Sequence, residues 1–462
     1  MTSQAREPPR LGFAAIALGL LIAILLGPLS SVAPEPLAAL TVGIAAIVVL
    51  AKSPAALIAL FAILQPLQDL CFSALPRAAR VGDELLLLAL VAVVLAGPFV
   101  RRPYRVVSAP FFKLAAATVL IGGAGALLNG VSAKVAGAGL FVTLDYVLLF
   151  LLLSHLPITE KHARLLVKVI ATMAGIAFLA GVAQLIGDRP FFAWQLALRE
   201  SGIFRVPSLF MHPNDFGYFM LAAAFVCTAA ALTTNRASFK ALAALCVVGV
   251  GLSVSRSSYA ALFVGLATGG VLISRRLLKV LVVTGFVVLT VLSPVFLGGI
   301  EARYAKFTAE GGDARLTYMR QAAPIIAAAP WLGHGPGTFG GSVAERYGSN
   351  IHAQYGVRFD DSWMTVDSFW LHSLVESGLL GTGVILLMLL TLILRCRRGL
   401  ADPDAGPWRR ALMIATAMLV AAHLLINVTS MALEANTTAG LLWLIAGVAL
   451  SGARDPRKAP SG

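Results

Sequence analysis

The chain has 462 residues, of which 58% are hydrophobic and 13% charged, and its mean hydropathy is +0.86. Soluble domains carry about a quarter charged residues, so this composition excludes a soluble globular enzyme and a small disulfide-stapled domain. The formal net charge of +14 would suit nucleic acid, but the basic residues are distributed as membrane topology demands.

Apolar runs of about 20 residues recur along most of the length, which is the mark of an all-α polytopic integral membrane protein. In chain order they predict helices over 11–31, 36–51, 54–70, 83–100, 110–129, 137–156, 163–187, 213–233, 238–253, 257–274, 278–298, 367–394, 408–430 and 435–452. These are about 12–14 transmembrane helices, the lower number applying where short neighbours merge. The first follows a short basic stretch, MTSQAREPPR, without a small-residue cleavage site, and reads as a retained span. Cys71, Cys227, Cys246 and Cys396 show neither paired nor metal-ligand spacing and read as ordinary residues. With the N-terminus cytoplasmic, 22 of the 36 Lys and Arg residues fall on that side, in short loops where the positive-inside rule applies. Both termini are then cytoplasmic and the long 299–366 loop lies outside. The expected organisation is N-terminal helices over 1–200, motif-bearing helices over 201–298, an outer loop over 299–366, and C-terminal helices over 367–462.

Topology does not account for the basic residues at span mouths on the outer side. Arg205 precedes LFMHPNDFGYFM (209–220), in which His212, Pro213, Asn214 and Asp215 open an apolar span. Arg256 lies in SVSRSSYAALF, at another span boundary. An arginine within hydrocarbon costs about 2.5–3.5 kcal/mol on insertion scales, so an anionic partner is expected. The long loop adds Arg315, Tyr318, Arg320 and His334, and the next span opens with VDSFWLHSLVESGLLG, holding Asp367, Ser368, His372 and Glu376. Guanidinium forks match phosphate bidentately and stay charged. Arg205, Arg256 and Arg315 at one interface therefore suit a lipid-linked phosphate or pyrophosphate, although each alone also suits an interfacial snorkel or a local ion pair.

His372 and Glu376, four residues apart, share a helix face. Asp367 or His372 at the mouth of a span suits a general base on a sugar hydroxyl. The simpler alternatives are a packed histidine and an acidic helix start. GHGPGTFGG (333–341) lacks the Gly-Lys-Ser/Thr ending of a phosphate loop and reads as a backbone turn. FFAWQLALRESGIF (191–204), aromatic and mildly amphipathic, is expected to lie along the outer membrane surface. His423, near mid-span, is a functional suspect by position, though one interhelical hydrogen bond would satisfy it.

Arg205 with HPN at a span start, then SRSSY, then RLTYMRQAAPIIAAAPWLGHGPGTF, then LVESGLLG: this order resembles the O-antigen ligase and polymerase family of bacterial surface polysaccharide assembly, over about residues 200–395. The resemblance implies a GT-C-like, all-helical glycosyltransferase of the bacterial inner membrane, working without metal or other cofactor. Such proteins take a glycan from undecaprenyl pyrophosphate at the periplasmic face. A polymerase transfers it to another glycan, and a ligase to lipid A core. Membrane lipids and polysaccharide assembly proteins are the implied partners, with no nucleic acid. Carried over by position, Arg205, Arg256 and Arg315 would hold the pyrophosphate and stabilise it as it leaves. His212 and Asn214 would shape the same site, with Tyr318 beside Arg315 in the adjoining motif. Many ligases begin the last motif with His-Asn, the His being the proposed base, where this chain has Asp367 and Ser368. The base is then Asp367, or His372, or none is needed. That departure favours a polymerase of O-antigen or exopolysaccharide over a ligase. The rival class, a transporter or flippase of an anionic lipid or glycan, predicts internal repeats and midplane charges, and the sequence shows no repeat.

Overall fold

The computed structural model describes residues 53–74, 109–154, 156–200, 202–272, 314–357 and 366–451, with isolated positions between 275 and 285. The expected spans 11–31, 36–51, 83–100 and 278–298 lie outside the described residues or almost wholly so. The described helices are α1 (Pro54–Ala74), α2 (Ala109–Leu128), α3 (Ala133–Leu153), α4 (Glu160–Gly187), α5 (Pro213–Thr234), α6 (Ala237–Leu252) and α7 (Arg256–Leu272). After them come α8 (Ala314–Ala328), the short α9 (Ser342–Tyr347) and α10 (Asn350–Tyr355), then α11 (Phe369–Leu400), α12 (Pro407–Ile426) and α13 (Asn436–Leu450). Six of them are long and apolar enough to cross a membrane, and α1, α6 and α13 contain shorter apolar stretches. The chain is an all-α, multi-pass membrane protein.

Helix α5 is the centre of the bundle. Its 18-residue apolar window is 89% buried, against 28% for that of α2, whose Leu120, Leu127 and Leu128 face outward. Between helices in lipid there is no hydrophobic drive to associate, so close approach of small residues has to supply contact. Alanine runs (222–224 and 229–231) fill α5, and Gly217 leaves room for neighbours: a Cβ there would stand 2.6 Å from Ser253 Oγ and 2.7 Å from Ser258 Oγ. Helices α6, α7 and α12 pack around it.

The long-range hydrogen bonds sort the helix ends into two groups. At one end Asp69 of α1 accepts from Met211 N–H ahead of α5, and Gln184 near the end of α4 donates to Ser208 O. Val206 N–H reaches Leu252 O at the end of α6. Thr437 of α13 donates to Gln65 O of α1, and Phe369 N–H at the start of α11 reaches Ser430 O beyond α12. At the other end Glu160, first residue of α4, accepts from Trp408 N–H of α12 at 2.6 Å, and Arg409 donates to Ser451 O at the end of α13. Described spans joined by a short connection, such as α5, α6 and α7, therefore run in opposite directions. Every polar motif singled out in the sequence sits at the first end.

The segment before α5, expected along the outer membrane surface, is irregular and mostly exposed at that end of the bundle. Residues 191–198 make turns and irregular backbone, and Arg199–Glu200 pairs antiparallel with Ile203–Phe204. The reason is a buried amide pair. Gln195 Oε1 accepts from Phe191 N–H, Phe192 N–H and Gln184 Nε2, while its Nε2 donates to Ser208 O and Phe210 O. Those bonds tie the segment to the end of α4 and the turn before α5 through Gln195.

Candidate active site

The first polar centre surrounds Arg205. The guanidinium donates to Asn214 Oδ1 at 2.6 Å and to the Ser253 carbonyl at 3.3 Å. The HPN and SRSSY segments, 40 residues apart in sequence, are thus tied through one side chain. His212 caps α5, its Nδ1 accepting from Asn214 N–H at 2.9 Å. An imidazole nitrogen that accepts must be unprotonated. Burial, with the Arg205 charge beside it, pushes the His212 pKa down to about 4 and so keeps it neutral.

Hydroxyls line the adjoining turn. Tyr218 Oη meets Ser257 Oγ at 2.8 Å, Ser255 Oγ lies 3.2 Å from Ser257 Oγ, and Ser258 donates to Ser255 Oγ at 2.9 Å. Arg256, half-buried, opens α7 directly after Ser255. Two non-glycine residues beside Arg205 carry positive φ: Ser208 at 55° and Val254 at 48°. For a β-branched valine this is a strained conformation, worth about 1–3 kcal/mol. Bonds from Val254 N–H and Tyr259 Oη to the Gly251 carbonyl hold it in place. The strained turn aims the Ser253 carbonyl at Arg205.

The second centre is built by a loop entering a broken helix. Gly378 inside α11 is non-helical, at φ 62° and ψ −168°. The backbone groups around the break are satisfied by residues 330–335. Val375 O and Glu376 O accept from His334 and Gly335 N–H, both at 2.9 Å, while Leu379 and Leu380 N–H donate to Pro330 O and Trp331 O. Unwound backbone at membrane depth is tolerated only with such partners. The approach is so close that a Cβ on Gly378 would stand 2.4 Å from the Trp331 carbonyl, and one on Gly333 2.4 Å from that of Glu376.

Glu376 sits seven residues into α11, about 10 Å along the axis at 1.5 Å per residue. Its carboxylate accepts from Gly337 N–H at 2.8 Å and Phe339 N–H at 2.7 Å. His372, one turn earlier, bonds the Phe339 carbonyl through Nδ1. Its Nε2 lies 3.0 Å from Glu434 Oε1 and 3.4 Å from Glu376 Oε2. A carbonyl only accepts, so Nδ1 carries a proton. A second proton must lie between Nε2 and the carboxylates, or lone pairs would face each other. A small pocket lined by Gly139, Gly341, Ser342, His372, Glu376 and Glu434 opens beside this cluster.

Parts of both centres fall within a stretch that is similar to a known family. Residues 241–386 match the family model described as O-antigen ligase. Over that stretch, about a third of its length, the chain is similar to the O-antigen ligase family. No curated protein matches it. The family match takes in SRSSY, the glycine-rich loop, His372 and Glu376, and it leaves Arg205, His212, Asn214 and Glu434 outside.

Among the residues singled out in the sequence, Arg205, His212 and Asn214 meet, with Arg256 one turn of chain beyond the Ser253 carbonyl. Arg315 lies in α8, and its side chain is outside the described part of the structure. Tyr318 is buried in a small apolar cluster with Ala322, Ile325, Phe339 and Val375. Asp367 is exposed ahead of α11, and the helix cap is Ser368, whose Oγ accepts from Leu371 N–H. His372 is brought to the loop and not to Arg205's bonds. His423 is buried and bonds the Leu419 carbonyl of its own helix.

Two functional-looking residues escaped the sequence reading. Asp69 is an acid inside an apolar run, which alone marks a residue worth placing. Glu434 stands in MALEANTT between two spans, where nothing local distinguishes it.

Proposed function

We propose that this protein transfers a glycan from undecaprenyl pyrophosphate to a growing polysaccharide, with the end of the bundle that holds Arg205 facing the periplasm of a bacterial inner membrane. The observation that carries the reading is Arg205 held at the mouths of α5 and α7 by neutral acceptors, one of them aimed by a strained turn, beside a row of hydroxyls and Arg256. Such a cradle suits the diphosphate of a lipid carrier. Its guanidinium groups would stabilise the charge that develops as the pyrophosphate leaves. Basic residues at the opposite end, including Arg164, Arg236 and Arg409, support that orientation.

For the acceptor, Asp367 is an exposed carboxylate at the same end and would take the hydroxyl proton, whereas His372 is engaged on both ring nitrogens. This supports a polymerase in which Asp367 assists and His372 orders the loop. The family description favours a second reading, transfer to lipid A core as a ligase.

Purified protein supplied only with its undecaprenyl-pyrophosphate oligosaccharide separates these. A ladder of longer glycans, lost in Arg256→Ala, is the expected result. Transfer only after lipid A core is added would make the protein a ligase. Absence of both, with lipid still crossing vesicle membranes, would refute glycosyl transfer.

A further inference from the structure

The end of the bundle away from both polar centres holds a second charged feature, independent of the glycosyltransferase reading. Trp408, the second residue of α12, is buried, and two guanidinium groups from other elements cover its indole. Arg164 of α4 lies 5.8 Å from the ring centroid and Arg236, at the N-cap of α6, lies 5.5 Å from it. Phe239 packs edge-on against the same indole. Lys161 and Lys168 stand at i−3 and i+4 from Arg164, and Lys240 at i+4 from Arg236, so each helix presents its cations in a row. All five basic side chains are exposed.

None of the five is ion-paired to a described acidic side chain; the described ion pairs lie elsewhere. The carboxylate nearest to hand, Glu160, is fixed. It accepts from Trp408 N–H at 2.6 Å and Arg409 N–H at 3.3 Å. Gly406 packs against it so closely that a Cβ there would stand 2.3 Å from the carboxyl carbon. Two like charges gathered on one ring, with no ion pair to a carboxylate among the described residues, leave a place for an anion from outside.

We propose that this rosette binds the phosphodiester headgroup of an anionic phospholipid, with Arg164 and Arg236 gripping the phosphate over Trp408 and Lys161, Lys168 and Lys240 forming the rim. The lipid is favoured over a soluble anion by position. The cluster sits at the ends of three apolar helices, with an indole at headgroup level, where such rings concentrate. A cation near an anionic membrane surface contributes about 1 kcal/mol, or roughly fivefold in binding per residue.

The test is lipid retention by the purified full-length protein in native mass spectrometry, titrated with phosphatidylglycerol, phosphatidylcholine or inorganic phosphate. The expected result is preferential retention of phosphatidylglycerol. Arg164→Gln with Arg236→Gln should lower it by on the order of twenty-five-fold, at about fivefold per cation. Lys161→Gln with Lys168→Gln, which spare the Trp408 contact and serve if the arginine variant fails to fold, should give a clear but smaller loss. Arg397→Gln with Arg398→Gln, at the end of α11, should change little. Equal losses in all three variants would show diffuse charge attraction and overturn the site. So would equal retention of phosphatidylcholine, or binding of inorganic phosphate that is abolished by the same arginine substitutions.

Discussion

The Arg205 cradle and the His372–Glu434 cluster lie at the same end of the bundle, and both are polar groups at the mouths of apolar helices. Their internal accounts differ. Around Arg205 the described bonds run to a side-chain amide and a backbone carbonyl, Asn214 Oδ1 and Ser253 O, from two separate segments. Around His372 the ring is closed. Two carboxylates, two backbone N–H groups and one carbonyl engage one another across the break in α11. The first arrangement suits an arriving anion. The second suits holding a loop in place. Charge at a span mouth does not by itself mark chemistry.

The largest expected effects test that division. Arg256→Lys should be nearly as damaging as Arg256→Ala, each reducing product ladder formation by at least about a hundredfold, because a point charge cannot replace a fork on phosphate. Normal ladders from the lysine variant would place Arg256 outside the phosphate site. Gly378→Ala should abolish monodisperse protein altogether, since it combines a positive φ with a collision against the Trp331 carbonyl. Size-exclusion chromatography of the extracted variant measures this, and full recovery would mean the loop does not enter the helix break.

Smaller effects sharpen the contrast. Glu376→Gln turns an amide toward one of two buried N–H donors and should cost about 2–3 kcal/mol, lowering the thermal midpoint. An activity loss at unchanged stability would instead move Glu376 into the chemistry. Acid should loosen the cradle through His212. Its folded pKa of about 4 lies below the ordinary 6.5, so the unfolded chain takes the proton first. Stability present above pH 6.5 is therefore lost as pH falls toward 4. His352, also pushed to about 4 by burial while its Nε2 accepts from Gly340 N–H, adds to the same trend from the loop. Thermal midpoints of His212→Gln and His352→Gln across that window divide the two contributions. The smallest effect is Ser368→Ala, which removes the cap of α11 for about 1 kcal/mol, readable as a modest shift in the same melting experiment.

The cradle was largely legible before any coordinates, because Arg205, HPN and SRSSY are each anomalous within an apolar surrounding. The loop centre was legible only in part. His372 and Glu376 declared a shared helix face by their spacing. Glu434 declared nothing, because its partner lies 62 residues away. The buried Gln184–Gln195 pair was likewise hidden, since glutamines near a span end look like ordinary interfacial residues until the backbone brings carbonyls to them.

Hydropathy acts locally, one span at a time, so the sequence alone determined the all-α membrane class. Tertiary structure decided what each polar group answers to. It placed a glycine-rich loop in the break at Gly378, closed Glu376 and Glu434 around His372, and set Arg205 between Asn214 and the Ser253 carbonyl. Hydrogen-bond partnership at those positions depends on distant segments meeting within about 3 Å, and nothing periodic in the chain records which segments will meet.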